Sequence, residues 1–151
     1  MAAVPETVQQ WARSKPRTAR LDTGRHTRGR LGFVLLNSEE TADDDIRNIV
    51  PDDVGVFYTR VPLADPVTVE NLAAVGGDLA GASAMLPPDM DAIAYVCTSG
   101  SIAFGEGPVA EALAKPQPQA KTTSLVSCVV EAMHVLGMKR IVVGTPYLDE
   151  V

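Results

Sequence analysis

In the stretch AIAYVCTSGS (residues 92–101) a cysteine closes an apolar run and is followed at once by hydroxyl and glycine residues. Cys97 at such a strand-to-loop turn is surrounded by the backbone N–H groups of Thr98, Ser99, Gly100 and Ser101, a setting that favours thiolate over thiol. A thiolate so placed is a nucleophile or a base. The same N–H groups, with the Thr98 and Ser99 hydroxyls, suit a carboxylate or a negative charge developing beside one. The motif leaves open a second reading, in which Cys97 is a small buried residue that ends a strand. Cys128 differs, because it falls on the apolar stripe of a helix, where an inert core thiol is expected.

The elements that would position Cys97 follow from periodicity. LGFVLL (31–36), VGVFYTRV (54–61), AIAYVCTS (92–99) and RIVVGTPY (140–147) are apolar or β-branched runs of strand length. Between Pro66 and Pro87, Val69, Leu72, Ala73, Leu79, Ala80 and Met85 share one helical face, which predicts a crossover helix weakened at Gly76-Gly77. Pro108 predicts the first turn of a short helix. A further helix has Thr122, Thr123 and Ser124 as caps, Gly137 as its stop, and a stripe of Leu125, Cys128, Val129, Ala132, Met133 and Leu136. Apolar strands alternating with helices predict an α/β fold, a four-stranded parallel sheet with helices on both faces, of flavodoxin-like type. Such sheets bind ligands at the carboxyl ends of their strands. NSEET, CTSGS and TPY stand at those ends, so Cys97 is expected at the mouth.

Composition narrows the function classes. A chain of 151 residues with 46% hydrophobic content builds one core. It contains no apolar run of membrane-spanning length and no secretory signal, so a cytoplasmic protein without a membrane partner is expected. Two cysteines without an export signal read as free thiols, and His26 and His134 have no ligand spacing with them, so neither a metal nor another cofactor is expected. The net charge of −6 is uneven: residues 1–30 hold seven basic and two acidic side chains, and residues 31–151 hold six basic and seventeen acidic. The division is therefore a basic arm (1–30) and an α/β domain (31–151). The arm lacks interleaved aromatics and any nucleic-acid-binding motif, so no nucleic acid is expected, and its charge suits the acidic body or a neighbouring subunit.

The segments YVCTSGS (95–101), TTSLVSCVVEAMHVLGMKRIVVGTPYLDEV (122–151) and LGFVLLNSEET (31–41) together resemble the amino-terminal part of the maleate cis-trans isomerase and arylmalonate decarboxylase group, within the aspartate/glutamate racemase superfamily. The chain is also similar to the racemase-like proteins of ectoine utilisation. The resemblance covers residues 31–151. It implies a cofactor-independent isomerase or racemase acting on a small carboxylate, with Cys97 as the nucleophile, Thr98 and Ser99 holding a carboxylate, and Tyr147 hydrogen-bonding the substrate.

Two departures from the family pattern shape the expectations. Family members join two similar α/β halves, the later one contributing a second cysteine, whereas this chain matches the first half. The second thiol would come from another copy in a homo-oligomer, or the chain would be an inactive half, and an apolar docking surface would lie exposed. Glu39 stands where the family places a carboxylate-binding asparagine, so a dicarboxylate such as maleate would be repelled; Asn37 could take the vacant role. Two other classes fit the bare motif: a non-catalytic flavodoxin-like module in which CTSGS cradles a phosphate, and a redox protein with Cys97 as sensor.

Overall fold

Leu31–Leu36 can be buried on both sides because the run has no charge to solvate, and it forms the centre of the sheet. The computed structural model describes residues 15–22 and 24–147; residues 1–14, half of the predicted basic arm, lie outside that range. Strand β1 (Gly29–Leu36) pairs in parallel with β2 (Val54–Val61) along its full length and with β3 (Ala92–Tyr95) on its other side. Strand β4 (Lys121–Ser124) completes the parallel sheet in the order β2-β1-β3-β4. Asp91 ties the entry ends of three strands together, accepting from the Arg30 N–H and the Lys121 N–H and donating its own N–H to the Arg30 carbonyl. The final two residues of the predicted arm thus belong to the sheet, and Arg28 pairs with Asp53 across it.

Helix α1 (Ala42–Ile49) follows β1. Helix α2 (Val69–Ala74), capped by the Thr68 side chain, runs through a 3-10 turn (Val75–Asp78) into α3 (Leu79–Ala84). Helices α4 (Thr98–Phe104), α5 (Glu106–Ala114) and α6 (Leu125–Val135) follow β3 and β4. Val34, Val61, Ile93 and Tyr95 point to one face of the sheet, where Leu72, Val75, Leu79, Val109 and Leu113 from α2 to α5 close the core. Phe33 and Tyr58, paired in register, point to the other face, where the Tyr58 hydroxyl donates to the Asp43 carbonyl and Arg47 of α1 stacks on the ring. No helix among the described residues is long and apolar enough to cross a membrane.

The parallel four-stranded α/β sheet agrees with the sequence reading, but its fourth strand does not. Residues 140–147 form no strand and leave Val142 99% exposed, while the polar KTTS takes the edge position beside β3. A search for apolar runs finds strands covered on both faces, and it passes over a short edge strand of threonines, whose β-branched side chains nevertheless suit a pleat. Strand β3 also ends at Tyr95, earlier than predicted, because Thr98 already begins a helix. The stripe on α6 contains no buried residue, and Cys128, expected in the core, is exposed. A helix stripe reports capacity for burial; a partner must supply the burial itself.

The glycine pair in the crossover has a packing reason. A Cβ on Gly76 would lie 2.1–2.3 Å from three ring atoms of Phe104, so the 3-10 turn meets α4 only because that atom is missing. Gly76→Ala should therefore lower the stability of the chain by about 1–3 kcal/mol, the usual range for overpacking. The urea midpoint measures this, and Gly77→Ala, with open space at its Cβ, is the matched control.

Candidate active site

Tyr95 and Cys97 lie two residues apart in extended backbone and so project to the same side of the sheet. Beyond Tyr95 the chain turns directly into α4, with Cys97 as the capping residue. Its Sγ accepts the Gly100 N–H at 3.2 Å, and its carbonyl accepts both the Ser101 N–H at 3.2 Å and the Ser101 hydroxyl at 2.5 Å. The Ser99 hydroxyl stands 3.9 Å from Sγ. Ser101 is fully buried, so the carbonyl of Cys97 is fixed from inside the core while its sulfur faces the turn. A hydrogen bond to an ionised partner is worth about 1.5–3 kcal/mol, and the Gly100 N–H is the donor positioned to supply one to a thiolate.

Cys97 is 8% exposed, less open than its expected place at the mouth, because Tyr95, Gly100 and the first turn of α4 surround it. Exposure of the two thiols is thus the reverse of the sequence reading: Cys128 is the open one, 3.2 Å from the Thr123 hydroxyl. Thr98 and Ser99 follow Cys97 on the first turn. Tyr147 reaches this turn without the strand predicted to carry it, and its hydroxyl donates to the Thr98 hydroxyl at 3.0 Å. Its own N–H donates to Thr145 Oγ1, which bends the Thr-Pro-Tyr segment back toward α4.

The two residues after β1 are placed otherwise. Asn37 straps the loop after β2, its side-chain oxygen accepting the Leu63 N–H at 2.9 Å. Glu39 turns its carboxylate onto the start of α1, accepting the Thr41 N–H at 2.8 Å, the Thr41 hydroxyl at 3.1 Å and the Ala42 N–H at 3.1 Å. Arg60 holds the same loop through the carbonyls of Leu36 and Glu39 and pairs with Asp43. The hydrogen bonds from the Thr41 and Ala42 N–H groups hold the Glu39 carboxyl below its ordinary range. The structure therefore brings Cys97, Thr98, Ser99 and Tyr147 together and gives Asn37 and Glu39 to loop and helix capping.

Tyr95 was not singled out in the sequence, although the period-two pattern of β3 would have placed it beside Cys97. It is 1% exposed, and its hydroxyl has no hydrogen-bond partner among the described residues. Burial first, and then the neighbouring Cys97, push its phenol far above the ordinary range, so it keeps its proton. A cavity of about 620 Å³ between α3 and α5, lined by Ala80, Phe104 and Ala112 among others, touches none of these residues. No group of metal-ligating side chains occurs among the described residues.

With this geometry the chain can be set beside known proteins. Its sequence matches no protein-family model and no curated protein at a significant level. Its fold is similar to about half of a solved maleate isomerase structure. The crystal structure of the maleate isomerase Iso from Pseudomonas putida S16 superposes with a TM-score of 0.57 at 16% identity, over 72% of this chain and 50% of that one. A cysteine-to-alanine variant of Iso determined with maleate matches equally, over 49% of its length. The chain thus spans about half the length of the solved structures it matches.

Glu39→Ala should destabilise the chain by about 0.5–2 kcal/mol, as for loss of a helix-capping side chain. The folded-state pKa of Glu39 lies below its unfolded value, so its contribution is present above about pH 4.5 and is lost as the pH falls through the folded value. Urea unfolding near neutrality and below pH 4 checks both statements: the difference between parent and variant should shrink in acid.

Proposed function

We propose that the chain is the first half of a cofactor-independent isomerase of the maleate isomerase and Asp/Glu racemase type, acting on a small unsaturated carboxylate through the Cys97 thiolate. The observation that carries this reading is the Cys97 turn: a sulfur accepting a backbone N–H, with the joined hydroxyls of Thr98 and Tyr147 on the same turn. The half-length likeness to maleate isomerase supplies the fold in which that turn is placed.

The thiolate adds to one alkene carbon, and the π pair moves to the neighbouring carbon and into its carboxylate. Thr98, Ser99 and Tyr147 are the donors that meet this charge. The former double bond is now single and rotates. Return of the electron pair breaks the C–S bond, regenerates the thiolate and leaves the alkene in the other geometry, with no net change in protons or electrons. Racemisation would need a second acid or base across the substrate. Within this chain the other thiol, Cys128, lies on α6 in hydrogen-bond contact with Thr123 and not beside the Cys97 turn's hydroxyls, so isomerisation suits this half better.

Glu39 bears on the substrate class. With its carboxylate bound to the start of α1, the electrostatic ground for excluding a dicarboxylate falls away, and maleate becomes a reasonable first substrate. A second α/β half completes the site in this reading. The unburied stripe of α6, with Val129, Val130 and Leu136, and the exposed Ile141–Val143 segment form the apolar surface it would cover.

Conversion of maleate to fumarate, followed by ultraviolet absorbance at concentrations that permit self-association, tests the proposal. Cys97→Ser should lower turnover by about a thousandfold or more, and Tyr147→Phe should lower kcat/KM by roughly tenfold to a hundredfold. A Cys97→Ser chain as active as the parent would overturn the reading.

A further inference from the structure

Tyr95 is a large polar side chain of the core that the reaction above leaves without a task. Its hydroxyl is orphaned at 1% exposure, an arrangement that ordinarily destabilises a fold, since a buried donor without an acceptor has given up its water for nothing. Its location gives the explanation. A Cβ built on Gly100 would fall 2.4 Å from the Tyr95 hydroxyl oxygen and 3.0 Å from Cys97 Sγ, so the two atoms flank one small space that is open because residue 100 is a glycine. A thiol is a weak acceptor, and the hydroxyl beside it stays unsatisfied. A thiolate is a strong one.

We propose that Tyr95 is a positioning residue for the Cys97 thiolate, its buried O–H donating to Sγ across the space above Gly100 once the thiol has lost its proton. The thiolate then has two donors from different directions, the Gly100 N–H and the Tyr95 O–H. No covalent bond changes in this step; the phenol keeps its proton, as its burial requires. The side chains that α4 places around the pair, Thr98, Ser99 and Ser101, are uncharged. Glu106 at the start of α5 is engaged by the Ser127 hydroxyl of α6, and Tyr147 by Thr98. Cys97 is the titratable group that lies beside Tyr95.

This inference rests on the reading of Cys97 as the reacting thiol, but its test needs no turnover. Carbamidomethylation of Cys97 by iodoacetamide, resolved from that of Cys128 by peptide mass spectrometry, is followed as a function of pH in the full chain and in Tyr95→Phe. The variant should label Cys97 about tenfold more slowly near neutral pH, with its pH profile displaced upward by about one unit and the same plateau in alkali, where both chains are fully thiolate. Its thermal midpoint should be unchanged or higher, because the atom removed has no partner in the thiol form. That combination separates positioning from a structural role, which would lower the thermal midpoint and leave the profile in place. An unchanged profile overturns the proposal. If Tyr95→Phe does not fold, 3-fluorotyrosine at position 95 keeps the shape with a stronger donor and should move the profile downward; no movement overturns the proposal equally. A displaced labelling profile together with a fully active Cys97→Ser chain would leave the Tyr95 contact standing and remove only the isomerase reading.

Discussion

The bond from the Gly100 N–H to Cys97 Sγ is the constraint on which the turn from β3 into α4 depends. It ends β3, begins α4 and points the sulfur, all through one contact. A serine or aspartate would cap the helix as well, but cysteine places a soft, polarisable sulfur at the cap. The contact in turn needs glycine at position 100, since a side chain there would collide with both Tyr95 and the sulfur. It also needs Ser101, which holds the Cys97 carbonyl from the core side.

Around this turn the polar groups fall into two kinds of arrangement. Glu39, Arg60 and Asn37 close the loops at the carboxyl ends of β1 and β2, so that end of the sheet is stiffened by charge and amide contacts. The ends near β3 and the Thr-Pro-Tyr segment keep hydroxyl groups whose partners are one another. Hydroxyl pairs of this kind are easily exchanged for a ligand's carboxylate, because each member can donate or accept. A carboxylate locked on two backbone N–H groups is not easily exchanged.

The two faces of the molecule are unequal in the same sense. The side that α2 to α5 cover is a closed core, with Val34, Leu79, Ile93 and Val109 entirely removed from water. Helix α6, by contrast, presents valines and leucines without cover. An apolar helix face of this kind is suited to meeting another surface.

Sequence patterns were sufficient for the α/β class, three of the four strands, the α6 cap at Ser124 with its stop at Gly137, and the turn that carries Cys97, because all of these are written in spacing along a local stretch. The edge strand KTTS was not legible, since its place depends on the exposed edge of β3 and not on its own apolarity. Nor was the exchange of roles between the thiols: Cys128 lies on a stripe capable of burial, yet it stays exposed among the described residues, and Cys97 lies at a turn capable of exposure, yet Tyr95 and α4 enclose it. Glu39 read as a site charge because sequence alignment gives a position but no direction, and its direction was decided by the free N–H groups of α1. Periodicity and turn chemistry are properties of neighbours in the chain. Burial, partnership and the aim of a side chain are set by which surfaces meet in space, and only the tertiary structure contains them.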